Sequence, residues 1–173
     1  MKPLFVPAML ALLFCIAPIP QVAGAATLPQ PEGEVVLTLS GQIATPNDPS
    51  GSALFDLAML AALEPVTIST STIWTQGVQE FTGVRLSRLL AAAGASGTVL
   101  HALALNDYAV DIPATDAVED GPIVAYLLNG KPMPLREKGP LWIIYPFDAK
   151  NEYQSEVTYS RSIWQLDRIV VNP

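Results

Sequence analysis

Apolar and other residues alternate through EVVLTLSGQI, where Val35, Leu37 and Leu39 fall at every second position before Gly41. A period of two puts such side chains on one face of an extended chain, so this stretch predicts a half-buried β-strand. The pattern then changes. After the turn-rich ATPNDPSGS, FDLAMLAALEP spaces Leu57, Leu60, Ala61 and Leu63 at helical intervals, with Ser52 or Asp56 as candidate caps and Pro65 as the stop. VTISTSTIW, residues 66–74, is rich in β-branched residues and predicts a strand that lines one face with hydroxyls. RLSRLLAAAG predicts an amphipathic helix, with Leu86, Leu89, Leu90 and Ala93 inward, Arg85 and Arg88 outward, and Gly94 just past the end.

Beyond Gly94 the signals are mostly extended. TVLHALALNDYAVDIP predicts two short strands about a tight turn at Asn106-Asp107. Residues 115–118 suit the start of a helical turn, and PIVAYLLNGKPMP reads as a strand, an Asn-Gly turn and an extended run. GPLWIIYPFDA, framed by Gly139 and Pro146, has the unbroken apolar character of a fully buried sheet member. YSRSIWQLDRIVVNP holds Ile163, Leu166 and Ile169 to Val171 and predicts one last strand. Strands in several separated places with few helices between them indicate an α+β domain of mixed β-sheets and a few short helices. With no repeat and no linker, residues 34–173 form one expected domain, preceded by a flexible arm over residues 26–33, ATLPQPEG.

The first 25 residues carry Lys2, an apolar run from Met9 to Ile19 and the small residues Ala23, Gly24 and Ala25. They have the form of a secretory signal peptide, and Pro18 and Pro20 interrupt a run already shorter than the roughly 20 residues a membrane-spanning helix needs. The expectation is an exported, periplasmic protein with no stable membrane insertion after processing. Cys15, the single cysteine, lies within this leader. The remainder therefore has no disulfide, no catalytic thiolate and no sulfur to offer a metal. A balance of 9 Lys and Arg against 16 Asp and Glu, net −7, argues against a nucleic-acid partner, since such proteins use cations to displace counterions from phosphates.

Candidate chemistry is sparse. His101, the one histidine, sits in an alternating apolar run and suits a local hydrogen bond better than a metal. Asp107, Asp111, Asp116, Glu119 and Asp120 cluster in sequence without the spacing of a calcium loop, so they read as a solvated acidic face. There is no G-x-S-x-G nucleophile elbow and no glycine-rich phosphate loop. Trp142 and Trp164 read as core residues. Trp74 stands in a polar segment near Gly77, and a ring so placed can wall a cleft.

Taken in order, FTGVRLSRLLAAAG, LNDYAVDIP, IVAYLLNGKPMPLREKGPLWIIYP and SIWQLDRIVV resemble the molybdopterin-binding domain of the sulfite oxidase superfamily. Its landmarks are a T-G-V-x-L-x-x-L-L helix, an N/D-x-Y turn leading to I-P, an A-Y-x-x-N-G-K-P segment, and G-P-L before an apolar strand and proline. The resemblance runs from Gly41 to Val171 and implies the sulfite-oxidase-type fold. In catalytically competent members it also implies a cysteine thiolate on molybdenum just before the T-G-V helix. That place falls near Ser71, whose hydroxyl is a harder ligand with a far less acidic proton. The arginine of the family's G-P-L-R is Trp142 here, and of its K-S-x-K-W run Arg161 keeps one charge.

The resemblance thus implies a cleft walled by Thr70, Ser71, Thr72 and Trp74, with Asn106, Asp107 and Tyr108 on a neighbouring loop and Arg161 as a remaining cation. No catalytic residue or metal ligand is assigned. No cofactor is expected, molybdopterin being the one the fold would suggest. The expected role is an exported small-ligand-binding or sensory accessory module without molybdenum redox catalysis, working with a small molecule or a membrane-bound sensor or enzyme. The alternative is a molybdopterin-dependent oxidoreductase of small oxo-anions or sulfoxides with a metal site lacking cysteine.

Overall fold

The computed structural model describes residues 27–173, so the expected signal peptide, residues 1–25, lies outside the described residues. β1 (Val35–Gly41) buries Leu37 and Leu39 as its alternation predicts. β2 (Ala53–Asp56) was not foreseen: it returns antiparallel to β1 and runs straight into α1 (Leu57–Ala61). Asp56 is the hinge of that corner. One carboxylate oxygen caps α1 by accepting from the Met59 amide at 2.8 Å. The other accepts from the Glu32 and Gly33 amides at 2.9 and 2.8 Å. Within the expected arm of residues 26–33, these bonds anchor Glu32 and Gly33, and Leu28 packs against the core.

β3 (Val66–Ser71) ends earlier than its β-branched composition suggests. At Thr72 the side-chain oxygen accepts from the Trp74 amide at 3.1 Å, a local bond that competes with strand continuation and folds residues 72–77 into a turn. β4 (Val78–Arg85) follows, so Thr82-Gly83-Val84 lies in a strand and not in a helix. The glycine is needed there, because a Cβ at Gly83 would overlap the Val124 carbonyl of the neighbouring strand. α2 (Leu86–Ala93) buries Leu86, Leu89, Leu90 and Ala93 as expected and ends at Gly94, whose φ of 62° is left-handed.

β5 (Val99–Ala104) and β6 (Ala109–Pro113) form the predicted hairpin, with Asp107 at φ 63° in its turn. β7 (Ile123–Leu128) joins β8 (Lys131–Pro132) through Asn129 and Gly130, both at positive φ as a two-residue hairpin turn requires. β9 (Trp142–Ile144) is buried throughout. α3 (Glu156–Arg161), capped by Ser155, was not foreseen; β10 (Leu166–Asn172) was.

The strands make two five-stranded sheets. One has the order β2-β1-β10-β5-β6; the other runs β3-β4-β7-β8, with β9 also on β7. β1 and β10 pair in parallel and the remaining pairs are antiparallel. A large apolar cluster including Leu37, Phe55, Leu89, Ile143 and Ile169 joins the first sheet to α2 and β9. A smaller one gathers Phe81, Ile123, Met133, Trp142 and Ile144, and Trp74 packs against both.

Candidate functional site: an aromatic cleft beside Trp74

The turn after β3 aims the Trp74 ring into a group of aromatics. Its centroid lies 5.7 Å from that of Trp142, 5.6 Å from Trp164, 5.9 Å from Tyr159 and 6.3 Å from Phe147, each edge to face. That geometry sets the positive edge of one ring against the negative face of the next. Three segments contribute to a cleft of about 420 Å³: Trp74 itself, the β5–β6 turn with Asn106 and Tyr108, and the end of α3 with the residues after it, Tyr159, Ser160, Ser162, Ile163 and Trp164. Its exposed lining is mainly carbon.

A second cleft of about 460 Å³ shares Trp74 and opens toward Thr75, Arg136, Glu137 and Lys138. The Lys138 ammonium sits 4.0 Å from the Trp164 centroid and 5.1 Å from that of Trp142. Desolvation against these rings lowers the pKa of Lys138 below the usual lysine value, partly opposed by the charge of Glu137.

Of the residues singled out in sequence, Trp74, Asn106 and Tyr108 meet in the first cleft. The hydroxyl strand does something else. Ser71 donates from Oγ and from its amide to opposite oxygens of the Asp148 carboxylate, both at 2.6 Å. Thr70 is fully buried, and its Oγ1 accepts from the Asp148 amide at 3.1 Å. These bonds, led by the one from the Ser71 hydroxyl, hold Asp148 below the ordinary carboxylate value. Thr72 pairs with Thr75 at 2.8 Å.

Asp107 and Arg161 turn to other partners. Arg168 holds Asp107 at 2.9 Å, on the surface. Arg161 binds Asp116 at 3.0 Å in a separate polar cleft of about 350 Å³. Tyr145 donates to the same Asp116 oxygen at 2.6 Å. Burial, reinforced by that carboxylate, keeps the Tyr145 hydroxyl protonated far above the usual phenol range. The remaining acidic residues are also dispersed: Asp111 meets His101 at 2.7 Å and Glu119 meets Arg85 at 3.2 Å.

Trp142 is fully buried, its Nε1 donating to the Ser162 carbonyl at 3.0 Å, in keeping with a core role. Trp164 is not simply core, since it lines the first cleft. Tyr159, Lys138 and Asp148 were not anticipated. Asp148 is 77 positions from Ser71, and no local pattern in PFDAK marks it as that residue's partner.

The donor set is a poor match to the molybdopterin that the resemblance suggests. The position nearest the family's thiolate offers a hydroxyl already committed to a carboxylate. No Lys or Arg lines the aromatic cleft to meet an anionic pterin and the guanidinium of Arg161 is spent on Asp116, so the cations beside Trp74 are Arg136 and Lys138 of the adjoining cleft. The chain's scaffold is a different matter from its donors. Over 79% of this chain and 37% of the other, it superposes on the sulfane dehydrogenase SoxCD from Paracoccus pantotrophus with a TM-score of 0.59 at 19% identity, a likeness of fold. This chain thus spans well under half the length of that one. No curated protein matches it in sequence. Residues 59–150 match the model of the oxidoreductase molybdopterin binding domain, from α1 through β9, and with the two-sheet fold this makes the chain a member of that family.

Proposed function

We propose that the protein is a binding module built on the molybdopterin-domain scaffold, taking a small ligand in the Trp74 cleft rather than carrying out molybdenum redox chemistry. One observation carries this reading: Ser71 and Asp148 close on each other where the family's metal-binding thiolate is expected, while the adjoining cleft is walled by aromatic rings. A carboxylate held by an amide and a hydroxyl is a satisfied pair and has little to gain from a metal. Apolar walls with a few polar groups at the edge are the usual make-up of a small-molecule site.

The leader-like first 25 residues support placing this activity outside the cytoplasm, in the periplasm. There the module would act as an accessory that delivers or reports its ligand, with a membrane-bound sensor or enzyme as its protein partner. The test is analysis of metal and pterin in protein purified from a molybdenum-replete host. Less than a tenth of an equivalent of molybdenum is expected. Stoichiometric molybdenum and pterin would overturn the reading in favour of an oxidoreductase with a metal site lacking cysteine.

A further inference from the structure

With the Lys138 ammonium resting on Trp164 from the adjoining cleft, the aromatic cleft offers rings with no charged side chain in its lining. Trp74, Tyr108, Tyr159 and Trp164 supply four rings, and neither a cationic nor an anionic side chain lines it. Trp74 stands at 84° to Tyr159 and 76° to Trp164, so the rings form an angular corner rather than a flat stack. Such faces attract cations through the ring quadrupole, and a methylated ammonium gains most because it gives up little hydration. An anion would meet only neutral donors such as those of Asn106 and Ser160, with no cation in the lining to balance its charge. Arg161 and Arg168, the nearest guanidiniums in sequence, are held by Asp116, Asp107 and Asp167.

The same ring cluster already holds one ammonium. Lys138 Nζ rests 4.0 Å from the centroid of Trp164, a ring that also lines the cleft. A net charge of −7 further favours the approach of cations. Resting on the reading of this cleft as a ligand site, we infer that it takes a small methylated ammonium compound. Its quaternary nitrogen sits against Trp74, Tyr159 and Trp164, and Tyr108 closes the rim.

The test is titration of the purified protein with choline and with its uncharged isostere 3,3-dimethylbutan-1-ol, followed by calorimetry and tryptophan fluorescence. Choline is expected to bind at least about tenfold more tightly, the size of a partly desolvated cation–π contact. Tyr108 is 53% exposed, so changing it leaves the fold intact. Tyr108→Leu should weaken choline roughly three- to tenfold, and Tyr108→Phe, which keeps the ring, should restore it. Lys138→Met removes a neighbouring like charge and should tighten choline roughly twofold. Weaker choline binding in Lys138→Met would mean that the lysine assists the ligand, and would overturn the inference. Equal binding of choline and the isostere would overturn the ammonium class and leave a cleft for neutral ligands. Failure of both, with no fluorescence response to indole either, would bring down the ligand-site reading as well.

Discussion

Ser71 and Asp148 hold each other twice, amide and hydroxyl each 2.6 Å from a different oxygen of one carboxylate. The contact joins the end of β3 to the segment following β9, and so fixes the turn that carries Trp74.

Ser71→Ala removes the hydroxyl bond and leaves the amide in place. Because both bonds are open to solvent, the expected loss is at most about 1 kcal/mol, below the range for fully buried charged bonds. Thermal or urea unfolding checks this. A change indistinguishable from zero would show that the hydroxyl contributes nothing.

The same pair sets an acid dependence. Asp148 ionises more readily in the folded chain than its ordinary value of 3.8, so the native state binds fewer protons than the unfolded one across that window. Its contribution is present above pH 3.8 and fades as pH falls through the lower folded value. The stability gap between the unmodified protein and Ser71→Ala should therefore be constant at neutral pH and close in acid. Urea midpoints measured at several pH values test it. A gap that persists unchanged below that window would rule out the carboxylate as the acceptor that matters.

Tyr145 gives the opposite sign. Burial and the Asp116 carboxylate raise its pKa, so its contribution is intact below the ordinary value of 10.0 and is lost as pH rises above it. Absorbance titration at alkaline pH should show one phenol of the five that ionises only as the chain unfolds, and Tyr145→Phe should abolish that step. If Tyr145→Phe leaves the titration curve unchanged, Tyr145 is not the protected phenol.

Gly83→Ala should destabilise by about 1–3 kcal/mol, because the added methyl has no room against the Val124 carbonyl and β4 must move away from β7. Amide exchange should quicken along β7 before it does in β10. Full retention of stability would mean the sheet opens there at little cost.

Much of the fold was legible in sequence because its signals are local. The alternation of Val35, Leu37 and Leu39, the helical spacing of Leu86, Leu89 and Leu90, and the Asn129-Gly130 turn each report a backbone state by themselves. Elements set by distant partners were not legible. β2 is only four residues, ALFD, and reads as the start of the helix it feeds. α3 has one buried side chain, Thr158, and so shows no apolar stripe. The end of β3 depends on where the Thr72 hydroxyl points, which composition does not specify. At the site, the β5–β6 turn and Trp74 could be singled out from residue type, and the cleft brings them together. Ser71 drew notice for its place in the chain, but its bond to Asp148 spans 77 positions and depends on the sheets being assembled.

β1 and β10 lie side by side, with Thr38 opposite Arg168 and Gly41 opposite Val171. The central strand of the first sheet is thus the last of the ten described strands in chain order, and no strand pairing joins β1–β2 to β5–β6 until it inserts. A sheet whose middle comes from so late in the chain stays in two halves until that strand docks between them, and this long-range docking becomes the committing event of its folding.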